Sequence, residues 1–285
     1  MKGLDLTPPT PLPPGGRGEV TAAVPLSLTG RGNRGEGWIP PLLLALIVLL
    51  LWEAAAVLFG VPDWLLPAPS KIAATLVGSA DLLARHALVT LAEIGVGFAA
   101  SFVLGVLLAV AISRSRAVER ALYPFVVASQ TVPVVAIAPL LLIWFGYGLA
   151  PKAIVVVLIC FFPIVVNAVD GLRSVDPDLR NLLRTMGATP MQTFLKVEAP
   201  AALPYLLSGT KVAVSVSVIG AVIGEWVGAQ AGLGYLMVRS ASQFQTARVF
   251  AALVVLALMG IALFGLVALV ERKVLAYRDR ETERR

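Results

Sequence analysis

The sequence has little of the side-chain chemistry on which enzymes and metalloproteins rely. Its 285 residues include one Cys and one His, and only 14 % are charged. One Cys excludes a disulfide framework within the chain, and a zinc site of the usual Cys and His ligands lacks the residues it needs. A membrane-embedded enzyme would have to use His86, or Cys160 in the middle of an apolar run, so we disfavour that class and expect no metal and no cofactor.

Hydrophobic residues are what the chain has in excess, at 58 %. A soluble domain usually has about 45–50 % apolar and about 25 % charged residues. The surplus is too large to bury in one soluble core, so a lipid bilayer should surround most of the chain. Residues 1–37 differ, with six Pro and eight Gly. Because such a segment buries too little surface to offset its ordering entropy, we expect a disordered cytoplasmic tail.

The remainder predicts an all-α polytopic membrane protein, with a transmembrane domain at 38–271 and a basic cytoplasmic tail at 272–285. About 20 helical residues cross the roughly 30 Å hydrocarbon core of a bilayer. The apolar runs therefore predict six spans, at 40–60, 88–112, 122–145, 151–170, 205–227 and 248–270. Between the first two, a short helix capped by Ser70 and running to about Arg85 should lie at the interface, since it carries several charges.

The placement of Lys and Arg predicts the orientation. Of the 23 basic residues, 17 fall in segments that a six-span topology with an inside N-terminus places in the cytoplasm, and five fall outside. This bias predicts that both termini are cytoplasmic. Basic loops beside the anionic cytoplasmic leaflet also account for the net charge of +6, so no nucleic-acid partner is expected.

The longest internal loop, 171–204, contains signals for two short helices. Asp176 is a good N-cap before Pro177, and Gly187 is suited to end the first helix. In the second, Thr189 and Gln192 have the spacing of a capping box. Pro200 and Pro204 are expected to end it.

Met191, Phe194 and Leu195 would form an apolar face on this second helix. Such a face, outside the membrane, either docks on a partner or packs on the protein's own span ends.

This loop resembles the EAA loop of the membrane subunits of bacterial ATP-binding cassette (ABC) importers. That pattern is Glu-Ala-Ala, three residues, Gly, nine residues, then Ile-x-Leu-Pro. Gly187, Val197 and Pro200 match its Gly, Ile and Pro at the right spacing, whereas Asn-Leu-Leu at 181–183 replaces Glu-Ala-Ala and Ala199 replaces Leu. The resemblance implies that the loop couples to an ATPase. The coupling residues it suggests are Asp178, Arg184, Gly187, Ala188, Thr189, Pro190, Met191, Gln192, Phe194 and Leu195.

The resemblance extends over about 65–270. The stretches LPAPSKI, YPFVVASQTVPVVAIAPLLLIWFG and GEWVGAQAGLGYLM are similar to permeases of the nitrate, sulfonate, taurine and pyrimidine-precursor transporters. It implies an inner-membrane homodimer with a type I importer fold, two cytoplasmic ATPase subunits, and an external solute-binding protein that delivers a small organic nutrient or anion. The chain has no P-loop motif, so ATP hydrolysis is expected on the separate subunit.

Several intramembrane polar residues are candidates for the solute path. Glu225, followed by Trp226, would lie at the outer mouth or gate of the path, or else at the interface beside an aromatic belt. Gln130 and Thr131 precede Pro133 in the third span, which is either part of the path or a kinked structural helix.

Ser217 lies on the small-residue face of the fifth span. We expect that span at the dimer centre, with Ser217 rather than Ser215 facing the path, although small residues equally serve close helix packing. Lys211 should reach the cytoplasmic headgroups. Glu53 and Glu93 are expected to have structural roles. An ion-coupled secondary carrier is the alternative function, but Glu225 and Lys211 lie near the ends of a span, which argues against it.

Overall fold

The computed structural model describes residues 39–282, with side chains described over 40–276, and all regular secondary structure in that part is helical. The predicted N-terminal tail lies outside the described residues. In order, the elements are α1 (Ile39–Leu58), α2 (Pro69–Gly78), α3 (Ala80–Arg114), α4 (Arg116–Ala128), α5 (Val134–Phe145), α6 (Leu149–Arg173), α7 (Pro177–Thr185), α8 (Pro190–Thr193), a π turn (Phe194–Glu198), α9 (Ala199–Trp226), α10 (Leu233–Ser242) and α11 (Thr246–Thr282).

Five of the described helical stretches are long and apolar enough to cross a membrane, which confirms the predicted all-α polytopic class. They are α1, α3, α6, the continuous stretch from α8 to α9, and α11. The predicted span at 122–145 differs, because it is divided between α4 and α5, of 13 and 12 residues. The break falls at Pro133, which has no backbone N–H and disfavours the helical conformation of the residue before it. α11 continues to Thr282, so most of the predicted C-terminal tail extends the last helix.

The predicted interfacial helix has different bounds from those expected. α2 begins at Pro69, and Ser70 is not its N-cap. Instead the N–H and hydroxyl of Ser70 donate to the Glu53 carboxylate, at 2.9 and 2.7 Å. α2 ends at Gly78, and Arg85 belongs to α3. Proline is favoured at the first helical position because it has no N–H to leave unpaired, so it fixes the start one residue earlier.

The expectation that Pro200 and Pro204 end the second loop helix was wrong. α8 continues through the π turn into α9, and Pro190–Trp226 forms one helical stretch of 37 residues. In a π turn the backbone N–H bonds to the carbonyl five residues earlier, as Ala199 does to Phe194. The inserted residue shifts the hydrogen-bond register just before Pro200, so the missing N–H of proline is tolerated without a break.

α3, α6 and α9 form the centre of the bundle. Ile94 of α3, Val156 and Ile164 of α6, and Ala213 and Ala221 of α9 share one buried apolar cluster. The helices approach closely at glycines. A Cβ on Gly209 of α9 would lie 2.6 Å from the backbone carbonyl of Pro163 on α6. Small residues allow this approach in membrane helices, where packing rather than water drives association.

Candidate coupling surface and solute path

α7 has both of its ends fixed by nearby residues, as the sequence predicts. At its start, the Asp176 carboxylate accepts a hydrogen bond from the Asp178 N–H at 2.8 Å. At its end Gly187 has a φ of +81°, in the left-handed region that favours glycine. The N–H groups of Gly187 and Ala188 donate back to α7 carbonyls at 3.0 and 2.9 Å, which completes a Schellman motif. Asp178 and Arg184 have exposed side chains.

α8 begins with the predicted capping box. The Gln192 N–H donates to the Thr189 hydroxyl at 3.3 Å, and the Thr189 N–H donates to the Gln192 side-chain carbonyl at 2.9 Å. Pro190 occupies the first helical position. These bonds join residues only three apart, so the start of α8 needs no support from the rest of the protein.

The three residues of the apolar face predicted on the second loop helix differ in burial. Phe194 is half-buried, with the Arg114 guanidinium 4.8 Å from its ring centre. Met191 and Leu195 stay 62 % and 60 % exposed. Leu182 of α7 and Met186 at its end are the more exposed of the apolar residues there, at 56 % and 74 %. We define the coupling surface as Leu182, Met186, Met191 and Leu195.

A cavity of about 230 Å³ lies beside the coupling surface. Its lining is Leu183, Met186, Gly187, Ala188, Gln192, Thr193 and Lys196. The coupling surface therefore borders a concave depression, a shape suited to receive a side chain of a partner.

Ionic contacts attach the α7–α8 loop to the long helices. The Arg180 guanidinium of α7 donates to the Leu172 carbonyl of α6 at 2.5 Å and lies 3.0 Å from the Glu198 carboxylate in the π turn. At the end of α6, Arg173 pairs with Glu119 of α4 at 2.6 Å. With Phe194 under Arg114, these contacts connect the loop to α3, to α6 and to the π turn that leads into α9, while Arg173 joins α6 to α4.

Glu225 has a different setting from the predicted gate or interface. It is 1 % exposed. One carboxylate oxygen accepts from the Thr90 hydroxyl at 2.6 Å, and the other accepts from the backbone N–H groups of Gly234 and Tyr235. These N–H groups belong to the first turn of α10, where backbone donors lack helical partners and a negative charge is favourable. Glu225 therefore stabilises the start of α10.

Neighbouring residues complete this capping arrangement. The Leu233 N–H donates to the Thr90 hydroxyl at 2.9 Å, and the Gly232 N–H donates to Nδ1 of His86 at 3.0 Å. A Cβ on Gly232, whose φ is +117°, would overlap the Glu225 carboxylate. Sequence reasoning missed the roles of Thr90 and His86. The signal available was the Gly-Leu-Gly that follows the acid, which marks a close backbone approach.

Ser217, the residue expected to face the path, lies in a helix contact of this chain. Ser217 is fully buried, and its hydroxyl donates to the Val214 carbonyl at 2.7 Å. Its neighbour on the same face, Gly220, lies against Val156 of α6. The small-residue face of α9 thus serves close packing, as the alternative held. Ser215 is exposed on the other face.

Ser215 and Trp226 line one apolar groove of about 510 Å³ between α9 and α11. Trp226 is 51 % exposed there. Gln130 and Thr131 lie elsewhere, exposed at the break between α4 and α5, where the Thr131 hydroxyl donates to the Ala128 carbonyl at 2.8 Å. The structure therefore separates the predicted path residues into four places: the α6–α9 packing interface, the start of α10, the α9–α11 groove and the break between α4 and α5.

Two further charged residues of the long helices have partners of opposite charge. Lys211 does not extend freely toward headgroups, since it pairs with Glu271 of α11 at 2.7 Å. Glu93 pairs with Lys152 at 2.5 Å, a structural contact as predicted. A buried charge is tolerated when it is paired.

Three relatives establish what the chain is similar to. The formylaminopyrimidine transport permease protein of Halalkalibacterium halodurans is 43 % identical, over 85 % of this chain and 97 % of that protein. The riboflavin transport system permease protein of Chloroflexus aurantiacus is 38 % identical, over 80 % and 85 %. The taurine transport system permease protein of Escherichia coli is 30 % identical, over 79 % and 85 %.

A solved structure shares the fold. The inward-facing methionine ABC transporter MetNI matches with a TM-score of 0.61 at 24 % identity, over 69 % of this chain and 98 % of that one. A family model described as the binding-protein-dependent transport system inner membrane component matches residues 101–276, which include α6, the α7–α8 loop, α9 and α10. The chain therefore belongs to this family of inner membrane components and is a multi-pass permease subunit of an ABC importer.

Proposed function

We propose that the chain acts as a homodimeric permease that cytoplasmic ATPase subunits drive through the coupling surface, while an extracytoplasmic solute-binding protein supplies the solute. The observation that carries this proposal is the α7–α8 pair. Its helix ends are fixed by local hydrogen bonds, yet Met191 and Leu195 remain about three-fifths exposed. Exposed apolar side chains on a preformed scaffold are typical of a docking site, because binding then orders few groups. ATP hydrolysis takes place on the separate subunit.

Movement of the docked ATPase passes to the membrane through two connections. α8 is continuous with α9, so a displacement of α8 moves a long helix directly. Arg180 and Phe194 connect the loop to α6 and α3. A rigid element with two arrangements is what allows a local event to switch a transporter between inward-open and outward-open states.

Co-purification tests the coupling surface. Leu195→Asp and Met191→Asp place a charge in the docking contact, so we expect at least tenfold less ATPase recovered with the permease, which itself still inserts. Leu65→Asp is the matched control, because Leu65 is 59 % exposed but lies in the connection between α1 and α2. Full recovery and normal uptake with both α8 variants would remove α8 from the mechanism.

We propose that both termini are cytoplasmic, which places the α7–α8 loop on the ATPase side. The support is the bias of Lys and Arg toward the inside segments. Single cysteines at positions 80 and 190, each exposed, are compared in intact cells after Cys160→Ser. Position 80 should label with an impermeant thiol reagent and position 190 should not. The reverse labelling would contradict both the orientation and the coupling assignment.

For the solute, we propose a small organic nutrient or anion of the nitrate, sulfonate, taurine or pyrimidine-precursor class. Its support is the set of relatives, which includes formylaminopyrimidine and taurine transport permeases. A ligand screen on the proposed solute-binding partner, followed by uptake of the hits, tests the class. High-affinity binding of a sugar or metal ion instead would contradict it.

A further inference from the structure

We propose that a pocket between α3, α10 and the start of α11 binds a small oxyanion, such as the sulfonate, carboxylate or phosphate group of a small molecule. The pocket has a volume of about 180 Å³. Its lining is Leu82, His86, Leu236, Arg239, Ser240, Gln243 and Arg248. On the proposed topology it opens to the outside. It does not include the coupling surface, so failure of this proposal leaves the proposed function intact.

Two polar groups in the pocket are buried without a partner. The Ser240 residue is 1 % exposed, and its hydroxyl makes no hydrogen bond among the described residues. Other helical serines of this chain do otherwise, since Ser215 and Ser242 donate to preceding carbonyls at 2.9 and 2.8 Å. Nε of Arg248 is likewise buried and unpartnered within the described part. Leaving such groups unsatisfied is costly, so both point to a ligand that accepts hydrogen bonds.

The charged side chains at the pocket indicate whether the ligand is an anion or a cation. The segment 226–270 contains Arg239 and Arg248 and no Asp or Glu. Their described hydrogen bonds go to neutral groups, from Arg239 to the Tyr235 hydroxyl and from Arg248 to the Gln245 side chain. Glu225, the nearest acid before this segment, is occupied by the first turn of α10. Among the residues whose side chains are described, neither guanidinium has a carboxylate partner, and such a pair of groups favours an anion.

His86 adds a donor rather than an acceptor. Its Nδ1 accepts the Gly232 N–H at 3.0 Å, so in the neutral ring the proton resides on Nε2. Asp81, which precedes Leu82 on α3, pairs with Arg85. The charged and hydrogen-bonding groups that line the pocket are therefore mostly donors, as tetrahedral or planar oxyanions require.

Sulfate binding to the full chain in lipid nanodiscs tests this proposal. The measurement is the midpoint of thermal unfolding during a titration with sodium sulfate, at ionic strength held constant with choline chloride. The wild type should show a saturable rise. Arg239→Gln and Ser240→Ala should each raise the half-saturating sulfate concentration about tenfold, since each removes a donor to a charged ligand. Arg239 is exposed, so its variant should fold normally even if Ser240→Ala does not.

Arg85→Gln is the matched control, because it removes the same charge one residue from His86 but outside the pocket lining. Its sulfate titration should match the wild type. A rise that does not saturate, or one that Arg85→Gln reduces as much as Arg239→Gln, would overturn the proposal in favour of general screening. Uptake by cells carrying Arg239→Gln then distinguishes the source of the oxyanion: reduced uptake indicates the anionic group of the solute, and unchanged uptake indicates a resident inorganic anion.

Discussion

The first turns of α8 and α10 find hydrogen-bond partners for their backbone N–H groups at very different sequence distances. Both helices have free backbone N–H groups in their first turn. At α8 the partners are Thr189 and Gln192, three residues apart. At α10 the Leu233 N–H reaches Thr90, 143 residues away, and the Gly232 N–H reaches His86, 146 residues away. Long-range capping makes the start of α10 dependent on α3 and α9, whereas the start of α8 is capped by its own neighbours before the helix continues into α9.

This difference separates residues that maintain the fold from residues that are free to bind. Glu225 is an ionisable residue of a membrane-spanning helix, yet its oxygens are occupied by α10 and Thr90. Met191 is apolar, yet it stays 62 % exposed on a helix whose start is capped by its own neighbours. In this permease a buried, hydrogen-bonded residue such as Glu225 is a candidate for a structural role. An exposed apolar residue on a locally capped helix, such as Met191, is a candidate for docking a partner.

Loss of the Glu225 carboxylate should destabilise the protein most, because this group accepts hydrogen bonds both from the first turn of α10 and from Thr90. Glu225→Ala leaves the first turn of α10 and the Thr90 hydroxyl without their acceptor, so we expect a loss of at least about 3 kcal/mol in the free energy of unfolding. Thermal unfolding in detergent measures it. Asp81→Ala, at an exposed acid of the same bundle, should change stability little. Normal stability with abolished uptake would return Glu225 to the solute path.

Ser217 and Ser215 allow the packed face and the exposed face of α9 to be compared directly. Ser217→Trp introduces an indole into the α6–α9 contact, so it should destabilise the protein by about 3 kcal/mol and reduce insertion. Ser215→Trp fills the α9–α11 groove instead, so the protein should fold while uptake falls. Size-exclusion profiles and uptake assays distinguish the two. If the Ser215→Trp variant transports normally while the Ser217→Trp variant folds and blocks uptake, Ser217 and not Ser215 lines the solute path.

A substitution at Gly187 tests the local arrangement at the end of α7. Gly187→Ala places a side chain at a φ of +81°, at a cost of about 1–2 kcal/mol. Because only the loop depends on this residue, we expect its hydrogen exchange to increase while exchange in α3 and α6 stays unchanged. Gly78→Ala is the comparison, since Gly78 has no neighbour within 4 Å and no positive φ. Faster exchange throughout the bundle would show that the loop is not independent.

Removal of the α8 cap should change the stability of the protein least among these substitutions. Thr189→Ala eliminates one side of the capping box, worth about 1 kcal/mol. We expect faster amide exchange within α8 and weaker ATPase recovery, with no change in the midpoint of thermal unfolding. Thr189→Ser should restore both. A lowered midpoint would mean that α8 supports the bundle after all.

Sequence reasoning succeeded where the determining contacts are short. Asp176, Gly187 and Thr189 act through neighbours a few residues away, so pattern alone predicts their roles. It succeeded on the all-α class because hydropathy follows from composition. It did not anticipate the contacts of Glu225 and Ser217, whose environments are set by residues far along the chain. It also failed at Pro200, since helix-breaking rules do not anticipate a π turn that absorbs the proline.

The π turn has a consequence for how this protein tolerates insertions and deletions. A π turn holds one residue more than the α-helix it interrupts. Deleting one residue within 194–198 would remove the wide turn and return the stretch to α-helical register, in which Pro200 has no N–H to donate. The helix would then bend or break at Pro200. A displacement of α8 would reach α9 through a hinge instead of through a continuous helix, so the deletion should weaken coupling without removing the coupling surface.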